Sequence, residues 1–231
     1  MKDLDLLRLH INALFVQDDN GKLLRINELD AENPAPRFFL GRTTQGNLWR
    51  TRHDLPAPLS TEIERLAADE PVVGDLRQPP KHAAAYAHLL GQHALIQSTE
   101  AGPAYYLPEL ASPSQVVKIM PENRFLLRKY FSYLHDHLDE YVPIVVKVVE
   151  GIAVAACFSS RLIPQAAEAG LYTEEPYRRR GYAAPMVSGW AAGVRASGRL
   201  PLYSTSWENT ASQAVAGKLG AVLYATDFSI T

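Results

Sequence analysis

An arginine-rich turn in the second half of the 231-residue chain has the residue types and spacing to bind an anion. It reads Arg178-Arg179-Arg180-Gly181-Tyr182-Ala183 and stands between an extended run, residues 166–173, and an amphipathic helix that closes at Gly198. The start of a helix leaves backbone N–H groups without partners and carries the positive end of the helix dipole. Because Gly181 allows close approach of the main chain and Ala183 keeps the opening small, the turn predicts a diphosphate site. A solvated basic surface is the alternative for this turn taken alone.

A second pattern follows about thirty residues later, in residues 207–221, where Asn209 precedes a helix ending in Lys-Leu-Gly. Together the two patterns resemble, over residues 115–230, the GNAT superfamily of N-acetyltransferases, whose members bind acetyl-CoA on Gln/Arg-x-x-Gly-x-Gly/Ala. The resemblance implies that residues 166–173 form the superfamily's central bulged strand, which splays from its neighbour so that the pantetheine arm can hydrogen-bond to it. It also implies that acetyl-CoA is bound by Leu171, Tyr172, Thr173, Arg178, Arg179, Arg180, Gly181, Tyr182, Ala183, Asn209 and Ser212.

The reaction that this resemblance implies is direct transfer of an acetyl group from acetyl-CoA to an amine in a ternary complex. Many relatives carry a tyrosine general acid seven residues after the asparagine, but this chain has Ala216 there. Tyr203 or Tyr224 could replace it, or the thiolate could leave unaided, because a thiol of pKa about 8.5 is a tolerable leaving group. A carboxylate on the central strand often serves as base, which indicates Glu168, whereas counting back from the motif gives Ala167. Tyr172 is a further candidate, because its strand is the one that the resemblance predicts to open. The catalytic candidates are Glu168, Tyr172 and Tyr203.

The elements that must position these residues alternate between strands and helices. Residues 142–149 and 152–159 are separated by a two-residue turn, which predicts antiparallel neighbours, with residues 166–173 as a third strand. Further predicted elements are a strand over 115–120, one helix over 121–138, a strand over 201–205, a helix over 209–219 and a strand over 221–230. The expected fold class is α/β (α+β), with a GNAT-like mixed, mostly antiparallel sheet flanked by helices.

The first half of the chain shows no recognisable catalytic constellation and is expected to form an N-terminal α+β region. Two hairpins are predicted, one around Asn20-Gly21 and one joining residues 37–41 to 47–52. Helices are expected from a capping box at Thr61 and from residue 80 to a C-cap at Gly91, and residues 94–98 and 104–107 look extended. The expected domains are residues 1–110, which would cover one side of the acceptor site or form a homodimer surface, and the transferase, residues 111–231.

Composition narrows the function further. A net charge of -2 and a pI near 6.4 argue against nucleic-acid or membrane partners. A single cysteine, Cys157, excludes an intrachain disulfide, and the lack of a signal peptide or a span of ~20 apolar residues predicts a cytoplasmic protein. His135 and His137 point apart on a helix, so no metal is expected.

The expected function is N-acetyltransfer from acetyl-CoA to a small-molecule or peptide amine. The alternatives are an acyl-CoA-binding module without turnover and, less favoured by the charge, a nucleic-acid-modifying protein.

Overall fold

The computed structural model describes residues 1–29, 33–109 and 116–231. The described residues form the α-helices α1 (Asp3–Leu14), α2 (Ala57–Ala68), α3 (Ala83–His93), α4 (Ser132–Asp136), α5 (Ala183–Ala196) and α6 (Thr210–Lys218). They form the strands β1 (Phe15–Gln17), β2 (Leu23–Ile26), β3 (Phe38–Thr43), β4 (Gly46–Thr51), β5 (Thr99–Tyr106), β6 (Val117–Lys118), β7 (Val145–Val149), β8 (Ile152–Leu162), β9 (Ala166–Thr173), β10 (Leu200–Ser204) and β11 (Val222–Ile230). Short 3-10 helices span Pro121–Leu127, Leu138–Glu140 and Glu175–Tyr177.

These elements belong to two compact units. The first unit comprises Met1–Tyr105, Ser204–Asn209 and Leu223–Thr231, and the second comprises Tyr106–Tyr203 and Thr210–Val222. The expected domain boundary between residues 110 and 111 lies outside the described residues and stays a prediction.

The first unit builds its sheet in the order β4, β3, β11 and β5. Both predicted hairpins are confirmed, because β1 pairs with β2 and β3 pairs with β4, each antiparallel. The C-terminal strand β11 pairs antiparallel with β3. Helices α2 and α3 pack on this sheet through a core that includes Phe38, Tyr86 and Phe228.

The two ends of α3 are held by buried charged side chains. Glu70 accepts hydrogen bonds from the backbone N–H groups of Lys81 and His82, at 2.9 and 2.8 Å, just before the helix begins. Arg37 donates to the carbonyl oxygens of Leu90 and Ala94, at 2.9 and 3.1 Å, where the helix ends. Both charged side chains therefore form hydrogen bonds with backbone groups that have no partner within the helix.

The second unit builds its sheet in the order β10, β9, β8, β7 and β6, with β9 and β10 parallel and the other neighbours antiparallel. Helix α5 lies on one face, where the Trp190 indole donates to Ser159 Oγ at 3.2 Å. The segment that contains α4 lies on the other face, where Phe131 and its neighbours pack against Val146 and Phe158. The expected mixed, mostly antiparallel sheet flanked by helices is confirmed.

The single helix predicted over residues 121–138 is wrong. The segment is divided among α4 and two 3-10 helices, and Phe131 leaves helical geometry with φ -130° and ψ 46°. Its apolar spacing nevertheless identifies most of the buried side chains, since Leu127, Phe131, Leu134 and Leu138 are buried, whereas Phe125 is exposed. Apolar spacing reports which side chains face the core and does not require one unbroken helix.

Other element limits also differ from the prediction. Helix α2 begins at Ala57, four residues before the expected capping box, with Pro58 in its first turn, where the missing N–H costs nothing. Helix α3 runs past Gly91, the strand expected over residues 115–120 shortens to β6, and α1 has no predicted counterpart. Of the helices described, none combines the length and the apolar character needed to cross a bilayer.

Candidate functional site

The parallel strands β9 and β10 of the second unit separate part of the way along their length. Their register consists of three described pairs, Ala166 with Leu200, Ala167 with Pro201 and Glu168 with Leu202. Strand β9 continues for five residues to Thr173 and stays paired with β8 along its other edge. For Ala169–Thr173, no pairing with β10 is described along the edge that faces away from β8.

The turn between β9 and α5 has a backbone suited to an anion. Arg179 and Gly181 both have left-handed conformations, with φ values of 60° and 79°, and Tyr182 is already helical. Such alternation turns successive N–H groups toward a common concavity. Helix α5 has no side-chain cap and no acidic residue in its first turn, and a Cβ built on Gly181 meets no heavy atom within 4 Å. The described residues thus leave the start of α5 open to a negatively charged group.

The three arginines of this turn are exposed, and two of them also hold the turn together. Arg178 donates from Nε to the carbonyl oxygen of Thr173 at 3.0 Å, and its guanidinium carbon lies 5.8 Å from the Tyr172 ring centroid. Arg180 donates to the carbonyl oxygen of Pro176 at 2.9 Å. Their positive charge therefore stays close to the start of α5.

The second motif is divided between the two units. Asn209 is exposed in the first unit, where its N–H donates to Ser206 Oγ at 3.1 Å. Ser212 lies on α6 in the second unit, and its Oγ is 2.5 Å from the Tyr203 hydroxyl. Ala216, at the position of the expected tyrosine, is buried on the same helix. The contacts of Asn209 and Ser212 with acetyl-CoA stay predictions.

The register of β8 and β9 determines which face Glu168 occupies. Glu168 lies directly opposite Arg161, and the extra residue, Ser160, donates from Oγ to the Glu168 carbonyl oxygen at 3.2 Å. Because side chains alternate along a strand, Glu168, Gly170 and Tyr172 share one face and Ala167 points to the other. Glu168 is 1% exposed. The candidate carboxylate is therefore buried at the point where β9 and β10 separate.

The three catalytic candidates do not all face the same way. Tyr172 lies on the face of Glu168, about 13 Å along the strand, and is 46% exposed. Tyr203 follows Leu202, the partner of Glu168, so its side chain emerges on the opposite face, where it is 3% exposed and bonded to Ser212. Tyr224 is buried in the first unit, with its ring 6.1 Å from that of His10. The structure thus places Glu168 and Tyr172 on one face of β9 without bringing them into contact, and the roles of all these residues stay predictions.

Other side chains considered from the sequence have structural environments. Burial raises the pKa of the Cys157 thiol well above its ordinary value, as expected for an inert cysteine. His135 pairs with Asp136 at 2.8 Å. Arg52 pairs with Asp54 at 2.7 Å. Within the described residues, no group of three or more histidines, cysteines or carboxylates could hold a metal ion.

Comparisons with known proteins give likenesses in structure only. No family model and no curated protein matches the chain. The chain resembles a GNAT-family protein from Novosphingobium aromaticivorans (17% identity, 58% of this chain and 65% of that one, TM-score 0.45). It also resembles a GNAT-family acetyltransferase from Colwellia psychrerythraea (14% identity, 99% and 96%, TM-score 0.46) and an aminoglycoside N-acetyltransferase in complex with CoA (19% identity, 46% and 89%, TM-score 0.36). The chain thus spans just under two thirds of the first of these proteins.

All three TM-scores are below 0.5, so these likenesses are similarities only. In its motif and among the solved structures that it matches, this chain resembles the GNAT superfamily of N-acetyltransferases.

Proposed function

We propose that the chain is an acyl-CoA-dependent N-acyltransferase that moves an acetyl group from acetyl-CoA to a small-molecule or peptide amine. The observation that carries the proposal is the separation of β9 from β10 after Glu168, with β9 continuing to Thr173 and the arginine-rich turn. An extended backbone edge that leads to an open helix start suits an arm with amide groups and a diphosphate at its far end.

The residues of the turn fit such a ligand. A diphosphate accepts hydrogen bonds from N–H groups between Arg179 and Ala184, and Gly181 leaves the approach clear of side-chain atoms. Arg178 and its neighbours add charge without a described carboxylate in the first turn of α5 to compete. The backbone of Leu171, Tyr172 and Thr173 is the edge assigned to the pantetheine arm.

The proposed chemistry is direct attack of a neutral amine on the thioester carbonyl. A main-chain N–H near Leu171 or Tyr172 orients and polarises that carbonyl, so most of the catalysis is positioning. Glu168, on the same strand, takes the amine proton through water. Tyr172 is the more accessible hydroxyl for protonating the departing thiolate, because Tyr203 is buried and bonded to Ser212.

The test compares two glycines with nearly the same backbone conformation. Gly181 has φ 79° at the start of α5 and Gly198 has φ 77° just beyond its end, and a Cβ at either meets nothing within 4 Å. Valine at each position introduces similar backbone strain, but only Gly181→Val obstructs the anion site. Calorimetric titration with CoA is expected to show binding weakened at least ~10-fold for Gly181→Val and little changed for Gly198→Val. Equal binding by the two variants would place the diphosphate elsewhere.

A measurement of turnover distinguishes a transferase from the main alternative, an acyl-CoA-binding module. Thiol release from acetyl-CoA in the presence of a panel of amines supports the transferase, whereas tight CoA binding without thiol release supports an acyl-CoA-binding module. Ala216, at the usual position of the general acid, is the observation that favours the module. The proposal takes the protein to be cytoplasmic, which suits a chain with one buried thiol. A homodimer stays a prediction.

A further inference from the structure

A cluster of aromatic side chains lies on the sheet face that carries Glu168 and Tyr172. We call Tyr133, Tyr141, Tyr172, Phe131 and Phe158 the tyrosine cluster. Tyr133, Tyr141 and Phe158 contact one another edge to face, with ring centroids 5.5 to 5.9 Å apart, and Phe131 contacts Tyr172 in the same way at 6.1 Å. Edge-to-face packing holds the rings in fixed orientations.

Two rings of the cluster remain substantially open to solvent. Tyr133 is 43% exposed and Tyr172 is 46% exposed, while Phe131 and Phe158 beneath them are buried. The cluster therefore presents aromatic surface supported by a packed layer. Sequence spacing does not reveal it, because its members come from α4, from the loop before β7 and from β8 and β9.

The phenol of Tyr133 is uncharged at neutral pH. Burial raises the pKa of Tyr133 to about 12, with further contributions from Tyr141 and Tyr172. The exposed part of Tyr133 thus offers an aromatic ring and a neutral hydroxyl, which suits a flat group.

We propose that the tyrosine cluster binds an aromatic ring carried by the acceptor amine, so that the acceptor is an arylalkylamine. The inference rests on the proposed function, since it takes the amine to be acetylated beside β9. The ring would pack on Tyr133 and Tyr172 while the amino group extends along the strand toward Glu168. Tyr172 belongs to both the cluster and β9, which connects this surface with the backbone edge assigned to the acyl donor.

Charges at the border of the cluster disfavour other classes of acceptor. The guanidinium of Arg178 lies 5.8 Å from the Tyr172 ring, and Lys129 Nζ lies 4.9 Å from the ring of Tyr130, the neighbour of Phe131. These two cations repel an amine with several positive charges, such as a polyamine or an aminoglycoside, more strongly than an amine with a single charge. A small amino acid would leave the exposed rings of Tyr133 and Tyr172 uncovered.

The experiment compares three primary amines that differ in their apolar part. Phenethylamine carries an aromatic ring, 2-cyclohexylethylamine carries a saturated ring of similar size, and n-butylamine carries no ring. Calorimetric titration, with and without saturating CoA, measures binding independently of turnover, and thiol release measures transfer. Phenethylamine is expected to bind about 5- to 10-fold more tightly than the other two amines.

Variants of one residue test the location of the ring. Tyr133→Ala is expected to abolish the preference for phenethylamine, and Tyr133→Phe is expected to retain it because the ring remains. Phe125→Ala is the matched control, since Phe125 is an exposed aromatic residue outside the cluster. The comparison of amines on the unaltered protein decides the question even where Tyr133→Ala fails to fold.

The outcomes distinguish this inference from the proposed function. Phenethylamine binding with the stated preference and no thiol release supports the inference and refutes the transferase. Thiol release with equal efficiency for all three amines supports the transferase and overturns the inference. Failure of phenethylamine to bind, or equal affinities for the three amines, also overturns the inference, whatever the thiol assay shows.

Discussion

Replacing Gly170 by alanine tests how closely the ring of Phe158, a buried member of the tyrosine cluster, packs on β9. A Cβ at Gly170 would lie 2.6 Å from Phe158 Cε2 and 2.7 Å from its Cζ. Carbon atoms make favourable contacts at about 3.5–4.0 Å, so the ring would have to retreat by about 1 Å. Phe158 is buried and held by edge contacts with Tyr133 and Tyr141, so it cannot move alone.

The expected cost follows from overpacking a closely packed core. Extra methyl groups in such cores cost about 1–3 kcal/mol, and for a chain of this size each kcal/mol lowers the Tm by about 2–4 °C. Gly170→Ala is therefore expected to lower the Tm by about 2–12 °C and to shift the urea midpoint without changing the slope. Adding Phe158→Leu should recover part of the loss, with a coupling free energy of at least about 0.5 kcal/mol.

A second glycine provides the opposite expectation. Gly217 lies on the exposed side of α6, and a Cβ there meets nothing within 4 Å. Gly217→Ala should stabilise the protein by up to about 1 kcal/mol, because alanine favours the helix more than glycine does.

Two results would refute the contact between Phe158 and β9. One is a Gly170→Ala protein that unfolds at the same urea concentration as the original chain, and the other is a double variant without coupling.

Two further predictions concern groups outside the site. Cys157 is buried with a raised pKa, so thiol reagents should label it only in the unfolded protein, and Cys157→Ala should keep CoA binding unchanged. Burial tends to raise the pKa of Glu64, but hydrogen bonds from Lys22 and Thr51 outweigh it and the net pKa is lowered from 4.5. A lowered carboxyl pKa stabilises the fold above the unfolded value, and this contribution disappears as the pH falls through the folded value. Lys22→Met should therefore reduce the Tm more at pH 7 than at pH 3, and an equal reduction at both pH values would contradict this cause.

Local patterns were sufficient to predict the strand and the helix that flank the arginine-rich turn. Strand β9 has the predicted limits, residues 166–173, and α5 begins at Ala183 as expected. Both elements follow from short-range signals in the sequence. An extended run predicts β9, and an amphipathic pattern after a glycine predicts α5. The conformation of Gly181, with φ 79°, is likewise a local property of the turn.

Features that depend on contacts between distant segments could not be predicted in this way. The face of Glu168 depends on whether the register of β8 and β9 contains a bulge, and the extra residue, Ser160, lies on β8 rather than on β9. The helix expected over residues 121–138 breaks at Phe131 because that segment follows the sheet face beneath it rather than its own helical spacing. The members of the tyrosine cluster come from α4, from the loop before β7 and from β8 and β9. No short stretch of the sequence therefore contains its pattern.

The position of the bulge determines which side chains of β9 share a face with Glu168. Because Ser160 is the extra residue on β8, the alternation of β9 is undisturbed, and Glu168 and Tyr172 project from the same face. The turn that would hold the diphosphate lies at one end of β9, and Glu168 lies where β9 parts from β10. An acyl donor along the edge of β9 and an amine over its face would therefore meet between these two points.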